Sequence, residues 1–195
     1  MSQTDAELIT HAAGGDVTAF QLLYDRHWNA VYRFAWLLTS SVPDAEDITQ
    51  ECFLALIRKP AFFDPARAQL RTWLIAVARN QHLGRRRNLA RQASPADLET
   101  SGIPAGLEEE LIRLERADAV RRAMGALPPV QREALYLFEF EGLSLADIAV
   151  VLEIEPNAVK ARLYRAREQL RRLLAPLRPA PSRTSEDAPH GEKDG

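Results

Sequence analysis

Apolar residues recur every three or four positions along almost all of this 195-residue chain. That spacing places them on one face of an α-helix, whereas a half-buried strand needs strict alternation over about four to eight residues. No such alternating run of β-formers stands out in the sequence. With 46% hydrophobic residues, the chain can also bury a real core. The sequence therefore predicts an all-α fold, built as two small helical domains joined by a flexible linker.

Turn and breaker residues divide the first half of the chain into four helices. The first covers residues 5–13, and the second starts after the "GGD" break, where Asp16 is placed to cap it. The third covers about residues 43–58, the prolines of "KPAFFDPARA" require a loop, and the fourth covers residues 70–87. These four helices form an expected first domain, residues 1–87.

The second half begins after a stretch without sustained apolar periodicity. Residues 88–106 are rich in Ala, Ser, Pro and Gly and have the composition of a linker. Breaks at "LPP", "EGLS" and "EIEP" divide residues 107–177 into four helices, which form the second expected domain. Residues 178–195 have almost no apolar content, so we expect a disordered tail.

Composition argues against several functional classes. No apolar run is long enough for a membrane span, and the start lacks the basic-then-apolar order of a signal peptide, so we expect a cytoplasmic protein. The lone Cys52 cannot form an internal disulfide, and the four histidines have no ligand spacing, so we expect neither a metal site nor another cofactor. No catalytic constellation or glycine-rich phosphate loop occurs, so an enzyme is not expected.

The net charge of -2 hides charges that are sorted in blocks along the chain. Only acidic charges occur between residues 34 and 57, whereas residues 65–96 contain seven arginines and no acid. Residues 97–118 are acidic again, and residues 160–178 hold seven basic residues against Glu168 alone. Sorting of this kind indicates separate surfaces for separate partners, one of them a polyanion.

Residues 145–166, "LADIAVVLEIEPNAVKARLYRA", have the pattern of a helix-turn-helix. A short apolar helix and a short break precede a second helix, with Pro156 in the first turn of that second helix. Ala149 is the small residue expected where the two helices cross. The side chains expected to pack between them are Ile148, Leu152, Ile154, Val159 and Leu163. In such motifs the second helix enters the major groove of DNA by its N-terminal residues.

Two interpretations of the basic second helix are open. A run of charge usually forms the solvated face of an amphipathic helix. A solvated face normally mixes signs, however, and this helix has one acid among eight charged residues, directly after a helix-turn pattern. Contact with DNA is therefore the favoured interpretation.

Three segments taken together resemble the bacterial RNA polymerase sigma factors of the extracytoplasmic-function (ECF) group. They are "DAEDITQECFLALI" (44–57), "FDPARAQLRTWLIAVARN" (63–80) and "LPPVQREALYLFEFEGLSLADIAVVLEIEPNAVKARLYRAREQL" (127–170). The resemblance extends over about residues 5–174, apart from the linker. It implies a transcription initiation factor that binds core RNA polymerase and promoter DNA, with the first domain similar to sigma region 2 and the second to region 4. Factors of this group are commonly controlled by an anti-sigma factor, so we expect one here.

In the first of these segments, acids and a leucine share one helical stripe, while Ile48, Cys52 and Ala55 form another stripe that packs. The resemblance implies that the acidic stripe docks on a coiled coil of the largest polymerase subunit, and an acidic face suits a basic partner helix. A merely solvated acidic face is the alternative. The candidate residues for binding core polymerase are Asp44, Asp47, Gln50, Glu51 and Leu54.

The resemblance further implies that the proline-rich loop and the fourth helix recognise and open the minus-ten promoter element. Reading a separated strand needs a positive track for its backbone and pockets for extruded bases. One of the two loop phenylalanines is also a candidate to anchor the loop, and Trp73 has the spacing of a core residue. The candidate minus-ten residues are Phe62, Phe63, Asp64, Arg71, Arg79, Asn80, Arg85, Arg86 and Arg87.

For the helix-turn-helix, the resemblance implies recognition of the minus-thirty-five element. The chain departs from the family at Glu153, where glycine is usual, and at Asn157 and Ala158, where glycine and threonine are common. A positive φ at Glu153 would cost about 1 kcal/mol. The candidate minus-thirty-five residues are Asn157, Lys160, Ala161, Arg162, Tyr164, Arg165 and Arg167.

Two other functions stay open on the sequence alone. One is a transcription regulator that binds duplex DNA without polymerase, which leaves the acidic stripe and the arginine-rich fourth helix unexplained. The other is a protein-interaction module, which has no need of seven basic residues near its C-terminal helix. Promoter-directed transcription with core polymerase is the observation that separates a sigma factor from both.

Overall fold

A computed structural model describes residues 3–92 and 118–175 of the chain. Every regular element within those two ranges is helical, which confirms the all-α prediction. In chain order the elements are α1 (Asp5–Ala13), α2 (Val17–Thr39), α3 (Val42–Arg58), a 3₁₀ turn (Pro60–Phe62), α4 (Leu70–Gln92), α5 (118–125 of the described residues), α6 (Pro129–Glu139), α7 (Leu145–Leu152) and α8 (Pro156–Leu173).

Local sequence signals fix where these helices begin. Asp16 accepts hydrogen bonds from the backbone N–H groups of Thr18 (2.8 Å) and Ala19 (3.1 Å), so it is the N-cap of α2 as predicted. Ser144 caps α7 through its side-chain oxygen in a similar way. α8 instead begins on Pro156, whose fixed φ suits a first turn and whose missing N–H leaves no donor to satisfy there.

α2 is the central helix of the N-terminal domain, and α1, α3 and α4 pack around it. Phe34 on α2 is fully buried, as are Ile48 on α3 and Leu74 on α4. An aromatic contact extends this core, because the ring centroids of Tyr24 and Phe53 lie 5.0 Å apart. The packing holds α3 and α4 side by side, so that the outward faces of these two helices adjoin.

In the C-terminal domain, α8 packs against both α6 and α7. Ile148 and Leu152 of α7 and Val159 and Leu163 of α8 are buried between the two helices, as a helix-turn-helix requires. Glu153 in the turn has φ 55° and ψ 47°, which is the left-handed conformation considered above. A glutamate in this conformation stores about 1 kcal/mol of strain that a glycine would not. The turn between the helices is therefore tight although its usual glycine is missing.

The two domains touch through α2 and α4 on one side and α6 and α7 on the other. α4 packs against α7, and the ring centroid of Phe34 lies 6.2 Å from that of Tyr136. Buried side chains from both domains belong to one continuous apolar cluster. Nothing in the sequence pattern predicts this contact between the two domains.

α4 is longer than predicted. It continues to Gln92, whereas the sequence analysis ended it at Arg87 and began the linker at residue 88. Residues 88–91 contain no glycine or proline, and leucine, alanine and arginine are good helix formers, so nothing stops the helix at Arg87. The remainder of the predicted linker, the start of the second domain at residue 107 and the predicted tail lie outside the described residues. The predicted domain boundaries stay predictions.

Candidate nucleic-acid and protein interfaces

All five residues of the predicted acidic stripe on α3 are exposed. The opposite face of the helix is buried, with Ala45, Ile48 and Cys52 at 0% exposure. Burial raises the pKa of Cys52 to about 12, so this side chain stays an uncharged thiol in the core. Asp47 forms a long ion pair of 3.8 Å with the partly exposed Arg85, a contact that holds the carboxylate only weakly. The stripe is therefore an acidic surface open to a partner.

A cavity of about 420 Å³ opens between α3, the 3₁₀ turn and α4, lined by apolar side chains, by the acid Glu51 and by the bases Arg58 and Lys59. Phe62 at its wall is 68% exposed, and Lys59 Nζ lies 5.4 Å from the centroid of its ring. Phe63 is half-buried instead, with its ring centroid 6.0 Å from that of Trp73 in an edge-to-face contact. Of the two phenylalanines, Phe63 anchors the loop and Phe62 is available to a ligand.

Asp64, the third loop candidate, shapes the loop. Its Oδ1 accepts a hydrogen bond from the backbone N–H of Ala66 at 2.9 Å, which closes an Asx turn before α4. The residue itself is exposed. The geometry thus gives Asp64 a local structural role, and its contact with a base stays a prediction.

α4 divides its predicted DNA-binding residues between two environments. Arg71 and Arg79 lie on the face that meets the C-terminal domain, where 34% and 12% of their side chains are exposed. The other members of the set point away from that contact. Of these, Asn80, Arg86 and Arg87 are exposed and Arg85 is partly exposed. In this arrangement two of the six α4 candidates are therefore held by the C-terminal domain and four are not.

The covered arginines are paired with glutamates of the C-terminal domain. Arg79 Nε donates to Glu133 Oε2 at 2.8 Å, and only 12% and 11% of these two side chains are exposed. Arg71 Nη2 pairs with Oε2 of Glu141, whose side chain is completely buried. Ion pairs this far from solvent are screened much less than surface pairs. They tie the two domains together through charge as well as through apolar contact.

The second oxygen of Glu141 has further partners. Glu141 Oε1 accepts a hydrogen bond from the hydroxyl of Tyr136 at 3.1 Å and from Arg33 Nη2 at 3.4 Å. Burial, together with the charge of Glu141, raises the pKa of Tyr136 to about 12, so its hydroxyl remains a donor. Burial acts to lower the pKa of Arg33, but the charges of Glu141 and Tyr136 and their hydrogen bonds with the guanidinium together raise it. The cluster is thus electrostatically balanced only while the domains are in contact.

The N-terminal half of α8 is open to solvent. Lys160 and Arg165 are exposed, and Tyr164 is 68% exposed on the same part of the helix. These side chains follow directly on the tight turn at Glu153, at the end of the helix that enters DNA in such motifs. The exposed members of the predicted set are Asn157, Lys160, Ala161, Tyr164, Arg165 and Arg167. Six of the seven candidates are therefore accessible, and the first five of them follow one another along the part of α8 nearest the turn.

The other two candidates on α8 are partly engaged within the domain. Arg162 is half-buried. Arg167 Nη2 donates to Glu139 Oε1 at 2.8 Å, and its guanidinium lies 5.0 Å from the ring centroid of Phe138. Both ends of the Arg167–Glu139 pair are about half exposed, so the pair is weak and water can reach it. Arg167 helps to hold α8 on α6, and its role in binding DNA stays a prediction.

Within residues 3–92 and 118–175, no group of three or more His, Cys, Asp or Glu side chains is placed to hold a metal ion. In the same part of the chain, no helix is both long enough and apolar enough to span a bilayer.

Comparison with known families assigns the chain. Residues 23–92 match the model of sigma-70 region 2, and residues 117–170 match that of sigma-70 region 4. Over 176 residues the chain is 35% identical to the ECF RNA polymerase sigma factor SigM of Mycobacterium tuberculosis, a match that covers 90% of this chain and 87% of SigM. The chain belongs to the ECF sigma factors.

Solved structures with the same fold include other sigma factors. The sigma factor aligns with CnrH, solved in complex with the cytosolic domain of CnrY, with a TM-score of 0.63 and 30% identity over 88% of this chain and 97% of CnrH. It aligns with the sigma factor RpoE of Bartonella quintana, solved with the anti-sigma factor NepR, with a TM-score of 0.63 and 25% identity over 82% and 98% of the two chains. Sigma factors are transcription initiation factors rather than catalysts.

Sequence reasoning missed three residues of the sigma factor that tie its domains together, namely Arg33, Glu133 and Glu141. Glu133 lies four positions before the buried Leu137, so it shares a face with core residues of α6. An acid at core spacing needs a paired cation, which is a signal that the sequence does contain. Arg33 gives no comparable signal, because a single arginine on a long helix is normally solvated.

Proposed function

We propose that this sigma factor binds core RNA polymerase through the acidic stripe of α3 and directs it to promoters by reading two elements. α8 reads the minus-thirty-five element in the major groove. The loop between α3 and α4, together with α4, opens and reads the minus-ten element. The protein acts in the cytoplasm, where polymerase and promoters are found, and an anti-sigma factor keeps it inactive until it is needed.

The observation that carries the proposal is an exposed acidic stripe on one domain and an exposed basic recognition helix on the other. An acidic helix face suits a basic protein surface, and basic residues after a helix-turn suit the phosphates and base edges of a duplex. A regulator that binds DNA alone needs only the second surface. Membership of the ECF sigma factors supports the assignment of the first surface to polymerase.

Support for the minus-ten role comes from the cavity beside α3. Phe62 is a large aromatic side chain held at 68% exposure, which is costly in water and useful for stacking on a base. The cavity of about 420 Å³ next to its ring has room for an extruded base, and Arg58 and Lys59 provide positive charge for the backbone. These features match the needs of a separated strand better than those of a duplex.

Support for anti-sigma control comes from the relatives. The Bartonella quintana sigma factor is solved with an anti-sigma factor bound, and it shares the fold of this chain over nearly its whole length. Accessible acidic and basic surfaces on a sigma factor are also the surfaces that an inhibitor must cover. We therefore expect a binding protein that competes with polymerase and DNA for α3 and α8.

The decisive experiment is run-off transcription with core polymerase on the DNA upstream of the chain's own gene. We expect a transcript from a defined start site only when the sigma factor is added, and none when the minus-ten region of the template is scrambled. If no candidate promoter yields a transcript and the protein binds duplex DNA tightly without polymerase, the sigma-type mechanism is wrong for this chain and the simple regulator is right.

A further inference from the structure

The contact between the two domains depends on charges that neither domain balances alone. Glu141 is completely buried, and among the described residues both of its cationic partners, Arg33 and Arg71, belong to the N-terminal domain. Its own domain supplies the neutral hydroxyl of Tyr136. A buried carboxylate without a paired cation is strongly unfavourable. Burial of Glu141 therefore requires the N-terminal arginines. Separation of the domains would expose Glu141 to water and free Arg33 and Arg71 for another anion.

The arrangement around these glutamates resembles the way arginines hold a nucleic-acid backbone. The carboxylate of Glu141 bridges two guanidinium groups, with Arg33 on one oxygen and Arg71 on the other, as a phosphate can. Arg79 holds Glu133 in the same manner, eight residues and therefore about 12 Å further along α4. This face of α4 is an anion-binding track, and carboxylates of the C-terminal domain fill it.

We infer that Glu133 and Glu141 hold the sigma factor closed by taking the positions that promoter phosphates take on Arg79 and Arg71, and that Arg33 is a third arginine of this track. The inference rests on the proposed minus-ten role of Arg71 and Arg79. A DNA strand and the C-terminal domain then compete for the same guanidinium groups. The apparent affinity for the strand is lowered by the fraction of chains that are closed.

The closed arrangement leaves the other two surfaces free. The acidic stripe of α3 and the first half of α8 are both exposed while Arg71 and Arg79 of α4 are paired with the C-terminal domain. Polymerase can therefore dock on a closed sigma factor, and α8 can meet duplex DNA, before the minus-ten arginines are released. In this order the free factor does not bind single-stranded nucleic acid, and strand binding occurs only in the complex with polymerase.

The test removes the two carboxylates and measures opening and strand binding in the full chain. The variant Glu133→Gln/Glu141→Gln is compared with the parent for binding of a short fluorescein-labelled oligo(dT) without polymerase. Opening is measured by energy transfer between dyes on Val17→Cys and Leu173→Cys, two exposed positions in different domains. Cys52 is buried and its pKa is raised, so it does not compete for the dyes.

We expect lower energy transfer and an affinity for oligo(dT) at least about tenfold higher in the double variant. Glu153→Gln/Glu155→Gln is the matched control, because it removes the same charge from the same domain at two exposed positions that form no ion pair within the described residues. That control is expected to leave energy transfer unchanged and to raise affinity much less. Adding Arg33→Gln to the opened variant is expected to reduce the gain.

A second measurement uses a chain that is fixed in the closed arrangement while Glu133 and Glu141 are unchanged. Thr72 Oγ1 and Asp147 Oδ1 lie 3.5 Å apart across the contact, so Thr72→Cys/Asp147→Cys is designed to be bridged by a disulfide on oxidation. We expect the bridged chain to lose oligo(dT) binding, relative to the same variant kept reduced with dithiothreitol. If the glutamine variant does not fold, this comparison decides the question.

The outcomes separate the inference from the proposed function. Unchanged energy transfer and affinity in the glutamine variant, with full binding by the bridged chain, would overturn the closed arrangement and leave the minus-ten assignment standing. Lower energy transfer without any gain in oligo(dT) binding would overturn the inference and also count against Arg71 and Arg79 as strand-binding residues.

Discussion

α4 and α8 are both arginine-rich helices proposed to bind DNA, yet they hold their charges in opposite ways. Arg71 and Arg79 of α4 are covered and paired with glutamates of the other domain. Lys160 and Arg165 of α8 are exposed at the end of the helix that would enter a groove. Within the described residues, α4 packs mainly against α2, α3 and α7, whereas α8 packs mainly against α6 and α7.

A block of like charge in a sequence does not show whether its side chains are accessible in the folded protein. In sequence both helices are basic stretches with almost no acids. A helix enclosed by three others must have its inward charges paired, while a helix at the edge of a domain can leave them in water. Under the proposed function, α8 can therefore read duplex DNA at once, whereas strand binding by α4 depends on a change in domain contact.

The largest effect is expected at the acidic stripe of α3, because the proposed roles of α4 and α8 both require binding to polymerase. Reversal of charge in Asp47→Lys/Glu51→Lys should abolish association with core polymerase, because both residues are exposed on the acidic stripe and not in the packed face of α3. Co-elution with polymerase on gel filtration measures this, and circular dichroism should show unchanged helicity. Asp25→Lys on the exposed side of α2 is the control. Normal co-elution of the α3 variant would remove the acidic stripe from the proposal.

The next effect tests the accessible helix. Lys160→Ala and Arg165→Ala should each weaken use of promoters that depend on the minus-thirty-five element, by about 1–3 kcal/mol for a bidentate base contact and by less for a phosphate contact. A lost phosphate contact weakens all elements alike and lowers the salt slope by about one unit, whereas a lost base contact relaxes preference at one position. Promoter titrations at several salt concentrations distinguish the two.

Polymerase binding should be normal in both α8 variants, since they leave α3 untouched. Arg172→Ala, in the last turn of α8, is the matched control and should have little effect. Unchanged promoter use by both variants across the whole salt range would mean that α8 is only a solvated basic face, and the contrast between the two helices would lose its functional meaning.

A smaller effect is expected at the two loop phenylalanines, because one should affect promoter opening and the other the stability of the fold. Phe62→Ala should reduce promoter opening with little change in stability, because the ring is exposed. Phe63→Ala should lower the free energy of unfolding by ~1–3 kcal/mol, because its ring packs on Trp73. Permanganate footprinting of the open promoter and thermal unfolding give the two readouts. Equal losses of opening and stability in both variants would contradict this division.

Much of the fold could be predicted because its signals are local. Asp16 and Pro156 mark helix starts through the chemistry of their own side chains, and Glu153 occupies a position where a tight turn needs a left-handed residue. The end of α4 was placed too early because a change in composition was taken as a stop signal, although no glycine or proline follows Arg87 directly.

The candidate surfaces were harder to predict where they depend on distant partners. The exposed stripe of α3 follows from helical periodicity alone. The pairs Arg79–Glu133 and Arg71–Glu141 join residues 54 and 70 positions apart, and periodicity within a helix contains no information on such pairing. The sequence therefore indicated which residues are basic but not which of them are covered.

The smallest expected effect concerns acid sensitivity, which should come from the domain that contains α4. His27 is 7% exposed and lies 2.9 Å from Asp5. Burial lowers the pKa of His27, although the charge of Asp5 acts in the opposite direction, so the folded state favours the neutral ring. This contribution to stability is present above the unfolded-state pKa of about 6.5 and is lost as the pH falls below it.

The pKa of His82 on α4 is also lowered, first by burial and then by the charge of the neighbouring Arg86. His27 and His82 therefore change the stability of the N-terminal domain with pH in the same direction. No described residue of the C-terminal domain is a histidine. We therefore expect the unfolding midpoint to fall by a few degrees between about pH 7 and pH 5, and His27→Gln to reduce that fall, while His11→Gln at an exposed position leaves it unchanged. Thermal unfolding followed by circular dichroism at the two pH values measures it. A His27→Gln variant that keeps the full pH dependence would show that protonation of this buried ring does not limit the stability of the N-terminal domain in acid. The source of the acid sensitivity would then be sought at His82, on the same helix as Arg71 and Arg79.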